Sequence, residues 1–300
     1  MKKNHNGLLV AGLTLAFAGC FFTSCQKKFD VNSYMPDRPV GGYGSSKEIA
    51  PSDLVGYWAF DGSLIDSVSK TSGNAAGTTY AKGIKGQALQ GSATTYATFN
   101  PGSAIQGLQS FTISFWMFTP KTSGAVGVFS LSNTKDFWGS IDIYFDNGGN
   151  QDTAVFKVHI NNANVNWAGQ FTDTRLIKPY NQWTHIAITY NASSSKLNIY
   201  QNGTALGVNS AGNPANTVGP ALNGDDPAKN VPYGPIKFVN ATAMAFGAFQ
   251  FQTNPSLTTS ATAQTWASDF AGLLDEFRIY DKALNDADVH ALYKLESLGR

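Results

Sequence analysis

A two-residue alternation of apolar and polar side chains, repeated in short bursts, limits what this chain can fold into. Phe111, Ile113, Phe115 and Met117 alternate with Thr112, Ser114, Trp116 and Phe118. Ile141, Ile143 and Phe145 alternate with Asp142, Tyr144 and Asp146; Phe156, Val158 and Ile160 with Lys157, His159 and Asn161. Ile186, Ile188 and Tyr190 oppose His185, Ala187 and Thr189. Neighbouring side chains on a strand point to opposite faces, so each burst predicts a strand with one core face. Leu197 and Ile199 run into Asn202-Gly203, a dipeptide that supplies the positive φ angles of a tight hairpin turn. With 30 Gly, 20 Phe, 12 Tyr and 14% charged residues, the composition favours strands and turns over helices. Many short strands without alternating helices predict an all-β sandwich or barrel. One short C-terminal helix is expected, capped by Asn285 with Asp288 completing the cap, and carrying Val289, Leu292 and Tyr293 on its apolar stripe. No helical repeat or propeller period is present.

The first residues read as a targeting segment rather than part of the fold. Lys2 and Lys3 precede an apolar run from Leu8 to Phe22, short of the roughly 20 residues that span a bilayer. Both cysteines follow small residues at its end: Cys20 after Ala-Gly, Cys25 after Thr-Ser. This looks like a bacterial lipoprotein cleavage site, and Ser24-Cys25-Gln-Lys-Lys-Phe-Asp30 resembles the lipoprotein starts of Bacteroidetes-type envelope proteins. Cys25 is favoured over Cys20, because cleavage there leaves no free thiol in an oxidising compartment. The expected layout is a signal peptide over 1–24, a flexible Pro/Gly/Ser tether over 25–52 and one domain over 53–297. Gly207 to about Pro235, rich in Gly, Asn, Pro and Ala, breaks the strand rhythm and reads as an insertion. A net charge of +1 offers no footprint for nucleic acid, and membrane contact is expected through the lipid only.

Five stretches in order resemble laminin-G-like domains of the concanavalin A-like superfamily. They are Val55-Gly-Tyr-Trp-Ala-Phe-Asp-Gly-Ser-Leu-Ile-Asp-Ser67, Gly83-Ile-Lys-Gly-Gln-Ala-Leu89, Phe111-Thr-Ile-Ser-Phe-Trp116, Gln182 to Gly203 with Trp183-Thr-His185 at its head, and Gly272 to Leu284 with Leu274-Asp-Glu-Phe-Arg-Ile-Tyr280. Together they cover roughly residues 53–297. The resemblance implies a two-sheet antiparallel jelly-roll sandwich with one convex and one concave sheet, and glycan or protein binding more often than catalysis. It does not fix a ligand, since one fold hosts many functions.

Strict alternation puts Asp275 on the core side with Phe277 and Ile279, where a lone carboxylate is costly unless paired or metal-bound. Similar family members hold calcium near these strands, so Asp66 and Asp275, with Asp61 beside them, are the expected ligands of a structural calcium ion. The alternative is that these carboxylates only cap turns through backbone amides. Glycoside hydrolysis needs two carboxylates about 5–9.5 Å apart. The chain has only three glutamates, Glu48, Glu276 and Glu296, and lacks the family's Glu-x-Asp strand motif. Asp142 and Asp146 share a face but lie about 13 Å apart along a strand. No nucleophile motif, zinc spacing or phosphate loop accompanies the four histidines.

Sugar-binding faces pair aromatic platforms with amides and carboxylates that bond hydroxyls. Trp116, Trp138, Asp142, Tyr144, His159, Asn161 and Trp167 occupy non-core phases or adjacent loops and form the expected glycan-binding set. The expectation is a non-catalytic, lipid-anchored outer-membrane protein that captures extracellular polysaccharide, in association with an uptake complex. A protein-binding adhesion module and a divergent glycoside hydrolase are the alternatives.

Overall fold

The computed structural model describes residues 39–164, 167–170 as backbone only, 174–206 and 233–300. Cys20, Cys25, the targeting segment and residues 207–232 lie outside the described residues, as does the side chain of Trp167. In chain order the strands begin with β1 (Leu54–Trp58), β2 (Asn74–Ala76), β3 (Thr79–Lys82), β4 (Gln87–Gln90) and β5 (Tyr96–Phe99). A one-turn helix, α1 (Gly102–Gln106), precedes β6 (Phe111–Phe118), β7 (Ala125–Leu131), β8 (Ile141–Asp146) and β9 (Thr153–Asn162). Then come β10 (Trp167–Gln170), β11 (Thr174–Ile177), β12 (Trp183–Asn191), β13 (Lys196–Gln201) and β14 (Thr204–Ala205). The chain closes with β15 (Met244–Phe246), β16 (Ala267–Asp269), β17 (Leu273–Tyr280) and α2 (Asp286–Ser297).

Among the described residues these strands form two sheets. The eight-stranded sheet runs β14-β13-β12-β6-β17-β4-β3, with β1 also on β17. The nine-stranded sheet runs β10-β9-β8-β7-β15-β5-β2, with β11 on β9 and β16 on β7. All pairings are antiparallel except β16 with β7. The apolar phases read from the sequence meet between the sheets. Phe115 stacks on Phe277 at 5.1 Å, and Phe246 meets Phe277 edge-on at 4.7 Å and Trp58 at 5.1 Å. Such offset and edge-on pairs are the favoured aromatic geometries and add to the burial of the rings themselves.

Both outer faces carry further cover. On the eight-stranded sheet, α2 packs Val289, Leu292 and Leu295 against Ala187, Tyr200 and Tyr280. Its start is the expected one, with the Asn285 side chain accepting from the Asp288 amide at 2.9 Å. Residues 39–52, expected as part of a flexible tether, belong instead to this packed unit. Ile49 is buried, Val40 and Tyr43 lie against the helix, and the Tyr43 hydroxyl donates to Asp288 at 2.8 Å. The Ser46 hydroxyl donates to the Arg300 carbonyl at 2.7 Å and the Arg300 guanidinium to Gly44 O at 2.7 Å, fastening this segment to the end of α2. Proline and glycine content misled here because a few apolar residues between them suffice to fill the groove beside a helix.

On the nine-stranded sheet the cover is the loop over residues 247–266. Gly127 in β7 allows its close approach, since a Cβ there would sit 2.4 Å from the Phe249 amide nitrogen. The register of β17 also departs from strict alternation. A bulge falls between Asp275 and Arg278, with Glu276 at φ +49°. Asp275 therefore pairs across from Trp116 on the outer side, while Phe277 beyond the bulge returns to the core. The placement of Asp275 on the core side is thereby corrected.

Candidate functional site

The outer face of the nine-stranded sheet gathers most of the expected glycan-binding residues. Asp142 and Tyr144 project from β8, His159 and Asn161 from the paired strand β9, with Asp142 directly opposite His159. The Trp138 ring folds back from the loop before β8, 5.7 Å from Tyr144 at 22° and 5.4 Å from His159. The covering loop adds Phe249, Phe251 and Trp266, with Phe251 4.6 Å from Phe137 and 5.6 Å from Trp266. Gln250 knits the two loops together. Its Oε1 accepts from the Asn133 amide at 2.8 Å, and its Nε2 donates to the carbonyls of Asp136 and Phe137, both at 2.9 Å.

This cover sorts the expected residues into those that reach solvent and those that do not. Trp138 and Asn161 are half-buried and accessible. Tyr144 and His159 lie beneath Trp138 and are 2% exposed, and Asp142 is fully buried. Asp142 cannot meet a ligand: Oδ1 accepts from the Ser130 hydroxyl and Oδ2 from the Gly139 amide at 2.7 Å. Trp116 is corrected as well. It has the outward phase, but α2 covers it, and its Nε1 donates to Glu296 at 2.8 Å. Trp167 lies on β10 opposite Asn162.

The exposed remainder is an aromatic ledge. Trp266, 47% exposed, stands 6.2 Å from Phe137 and 6.3 Å from Trp138. Beside it the Asn161 side-chain amide donates to Asp136 at 3.2 Å, which places an amide and a carboxylate at the ledge's edge. Sequence reasoning missed Phe137, Trp266 and the loop between 247 and 266. The loop's signal was the pair Phe249 and Phe251, two residues apart just past the end of β15.

Ser130, Asp142 and His159 lie together, but their order is wrong for nucleophilic catalysis. The carboxylate stands between the hydroxyl and the imidazole, with His159 Nδ1 3.5 Å from Asp142 Oδ2. The Ser130 hydroxyl donates its hydrogen bond to Asp142, so this geometry presents no serine proton to the imidazole. Asp146 is paired with Lys157 at 2.5 Å instead of facing a second acid.

The expected calcium ligands do not converge. Among the described residues no three His, Cys, Asp or Glu side chains cluster as a metal site. Asp66 accepts from the amides of Tyr57, Val68 and Ser69 at 2.8, 3.0 and 3.0 Å, and from the Ser69 hydroxyl at 2.5 Å. Four donors occupy the oxygens a cation would need, so Asp66 is a turn former. Asp61 and Asp275 both serve the turn between β3 and β4: Asp61 accepts from the Gln87 amide at 2.7 Å, Asp275 from the Lys85 amide at 3.1 Å. Gly86, at φ +61°, lies so close that a Cβ there would collide with Asp61. The other oxygen of Asp275 accepts from the Glu276 amide at 2.8 Å, so both of its oxygens are taken, and burial outweighs these amide bonds and pushes its carboxyl up to about 8. This donor set does not fit calcium. A chelator is expected to leave the melting temperature unchanged; a fall that added calcium reverses, and that Asp275→Ala abolishes, would restore the ion.

The two packed sheets define a concanavalin A-like sandwich. A family model described as the concanavalin A-like lectin/glucanases superfamily, of the laminin-G type, matches residues 90–235. No curated protein matches the chain by sequence. Among solved structures, domain 4 of AbnA, a GH43 extracellular arabinanase from Geobacillus stearothermophilus in complex with arabinotriose, is similar. The match has 18% identity and a TM-score of 0.53, and covers 80% of this chain and 98% of that one. The binding domain of Paraclostridial Mosquitocidal Protein 1 is similar at 18% identity and TM-score 0.55, over 81% of this chain and 52% of that one. The binding domain of botulinum neurotoxin serotype D/C VPI 5993 is similar at 14% identity and TM-score 0.53, over 82% and 52%. The match thus spans about half the length of these toxin domains, and at such identities the likeness is one of fold.

Proposed function

We propose that this protein is a non-catalytic carbohydrate-binding protein of the cell envelope, lipidated at Cys25, that captures extracellular polysaccharide for an uptake complex. The aromatic ledge of Phe137, Trp138 and Trp266 carries this reading. Its accessible rings suit the apolar face of a pyranose or furanose, and Asn161 and Asp136 lie beside them to bond hydroxyls. The similar arabinanase domain, solved with arabinotriose, supports a sugar as the ligand. Lipidation rests on the apolar run and Cys25 in the sequence. A single acyl chain holds a membrane only marginally, so multiple acylation at that cysteine is part of the proposal.

The test is retention on a glycan array and in polysaccharide-containing affinity gels. Trp138→Ala and Trp266→Ala are each expected to weaken retention about tenfold, as loss of an aromatic anchor does. Trp116→Ala, a substitution beneath α2, should alter stability and leave the affinity of the folded protein unchanged. No retention on any glycan, or retention indifferent to both ledge variants, would overturn this reading and favour a protein partner.

A further inference from the structure

A second concavity lies on the opposite outer face of the molecule. It is a groove of about 460 Å³ on the eight-stranded sheet, just beyond the start of α2. That volume lies within the range of small-ligand sites, about 300–1,000 Å³. Its floor comes from two paired strands in register, Thr189 opposite Asn198 and Asn191 opposite Lys196, with Tyr200 one step further along β13. These side chains have the outward phase, since Ile188, Tyr190, Leu197 and Ile199 between them fill the core. The wall is the segment from Ala283 to Ala287 that leads into α2. Wall and floor are fastened together, with the Tyr200 hydroxyl donating to Asp286 Oδ1 at 2.7 Å. Tyr200 is buried, so the groove is preformed and a ligand need not order it.

The chemistry of the lining selects a class of ligand. Asn198 offers an amide donor and acceptor and Asn191 its amide N–H groups, the Asn191 oxygen being taken by the Ser193 amide and hydroxyl at 3.0 and 2.7 Å, while Thr189 is buried beneath them. One cation, Lys196, and one anion, Asp286, leave the groove without net charge. No ring face is presented, because the Tyr200 ring is only 1% exposed. A flat apolar ligand would find no platform and a strongly charged one no complement. We propose that this groove is a second saccharide site, taking a neutral, hydroxyl-rich glycan unit through side-chain hydrogen bonds. It does not depend on the ledge: the two sites lie on different sheets, share no residue and use different contacts. A chain with both sites is bivalent, and two weak contacts on one polymer strengthen each other through effective concentration.

The experiment follows the side-chain amide NMR signals of Asn191 and Asn198 in the full chain. The probes are neutral gluco-, manno-, xylo- and arabino-oligosaccharides and one oligouronate. At least one neutral probe is expected to shift the Asn198 signal in the wild type and equally in Trp266→Ala. Asn198→Ala should weaken that probe's affinity at least fivefold in the Trp266→Ala background; both positions are accessible, so the fold is expected to persist. Silence from every neutral probe, or a preference for the oligouronate, overturns the proposal. Loss of ledge binding with these shifts intact would count against the ledge alone.

Discussion

Arg278→Ala is expected to lower the unfolding free energy by about 3–5 kcal/mol, the usual cost of breaking a buried ion pair from one side. Arg278 is 1% exposed and lies between two carboxylates that are fully buried. Its Nη2 donates to Glu276 at 2.6 Å and its Nε to Glu296 at 2.7 Å, while the guanidinium lies 3.9 Å from the Tyr57 ring centroid. Glu276 also accepts from the Tyr57 hydroxyl at 2.9 Å, and Glu296 from Trp116. Removing the cation strands two carboxylates that water cannot reach, and the hydrogen bonds that remain do not replace it. The same network joins the bulge of β17 to α2, so the helix should loosen with it. Urea unfolding of the folded variant measures the effect; a loss below about 1 kcal/mol would show that the network is solvated.

The protein is also expected to be more stable at pH 5 than at pH 7.5. Burial raises the Asp275 carboxyl to about 8 and that of Asp269, which has one oxygen without a hydrogen-bond partner, to about 7. Burial also pushes Glu296 up, but Arg278 pulls it back, and with hydrogen bonds from both Arg278 and Trp116 it counts as the carboxylate. The folded chain keeps the Asp275 and Asp269 protons after the unfolded chain has released them near its ordinary carboxyl range. Their contribution is complete below about pH 4 and is lost as pH rises through the folded values. His185 acts in the opposite sense. Burial first, and then Arg278, lowers it to about 3, so its contribution is present above about 6.5 and lost as pH falls. Two raised acids, Asp275 and Asp269, against one lowered histidine leave the folded state holding about one more proton between about pH 5 and 7. The resulting slope is on the order of 1–2 kcal/mol per pH unit. Asp275→Asn should flatten it, and greater stability at pH 7.5 than at pH 5 in the wild type would refute this assignment of protons.

Alternation made the sandwich legible, because a strand with one buried face must write its burial into every second residue. It assigned the core residues of β6, β8, β9 and β12 and the outward phase of Trp116, Asp142, Tyr144 and His159. It could not show what lies over an outward residue. Trp116 and Trp138 have equivalent standing in the sequence, and only the packing of α2 on one sheet and the 247–266 loop on the other separates them. The bulge at Glu276 was invisible for a different reason. A non-glycine residue at φ +49° has no turn signature, and the single extra residue reverses the phase of everything before it. Asp66 was legible as a carboxylate at a strand end, but its four donors are mostly backbone amides, which no side-chain pattern records.

The fastening of residues 39–52 to α2 also sets how the molecule would answer to tension. A pull delivered ahead of Pro39 meets first the hydrogen bonds of Tyr43, Ser46 and Gly44, which face the load one at a time and so open by peeling. Beyond them β1 runs alongside β17 in the eight-stranded sheet, where a lengthwise load must shear several ladder bonds at once. The segment therefore behaves as a take-up spring in series with a stiff body. Released and fully extended at about 3.3–3.6 Å per residue, it would pay out roughly 50 Å of slack before the sandwich itself bore any strain.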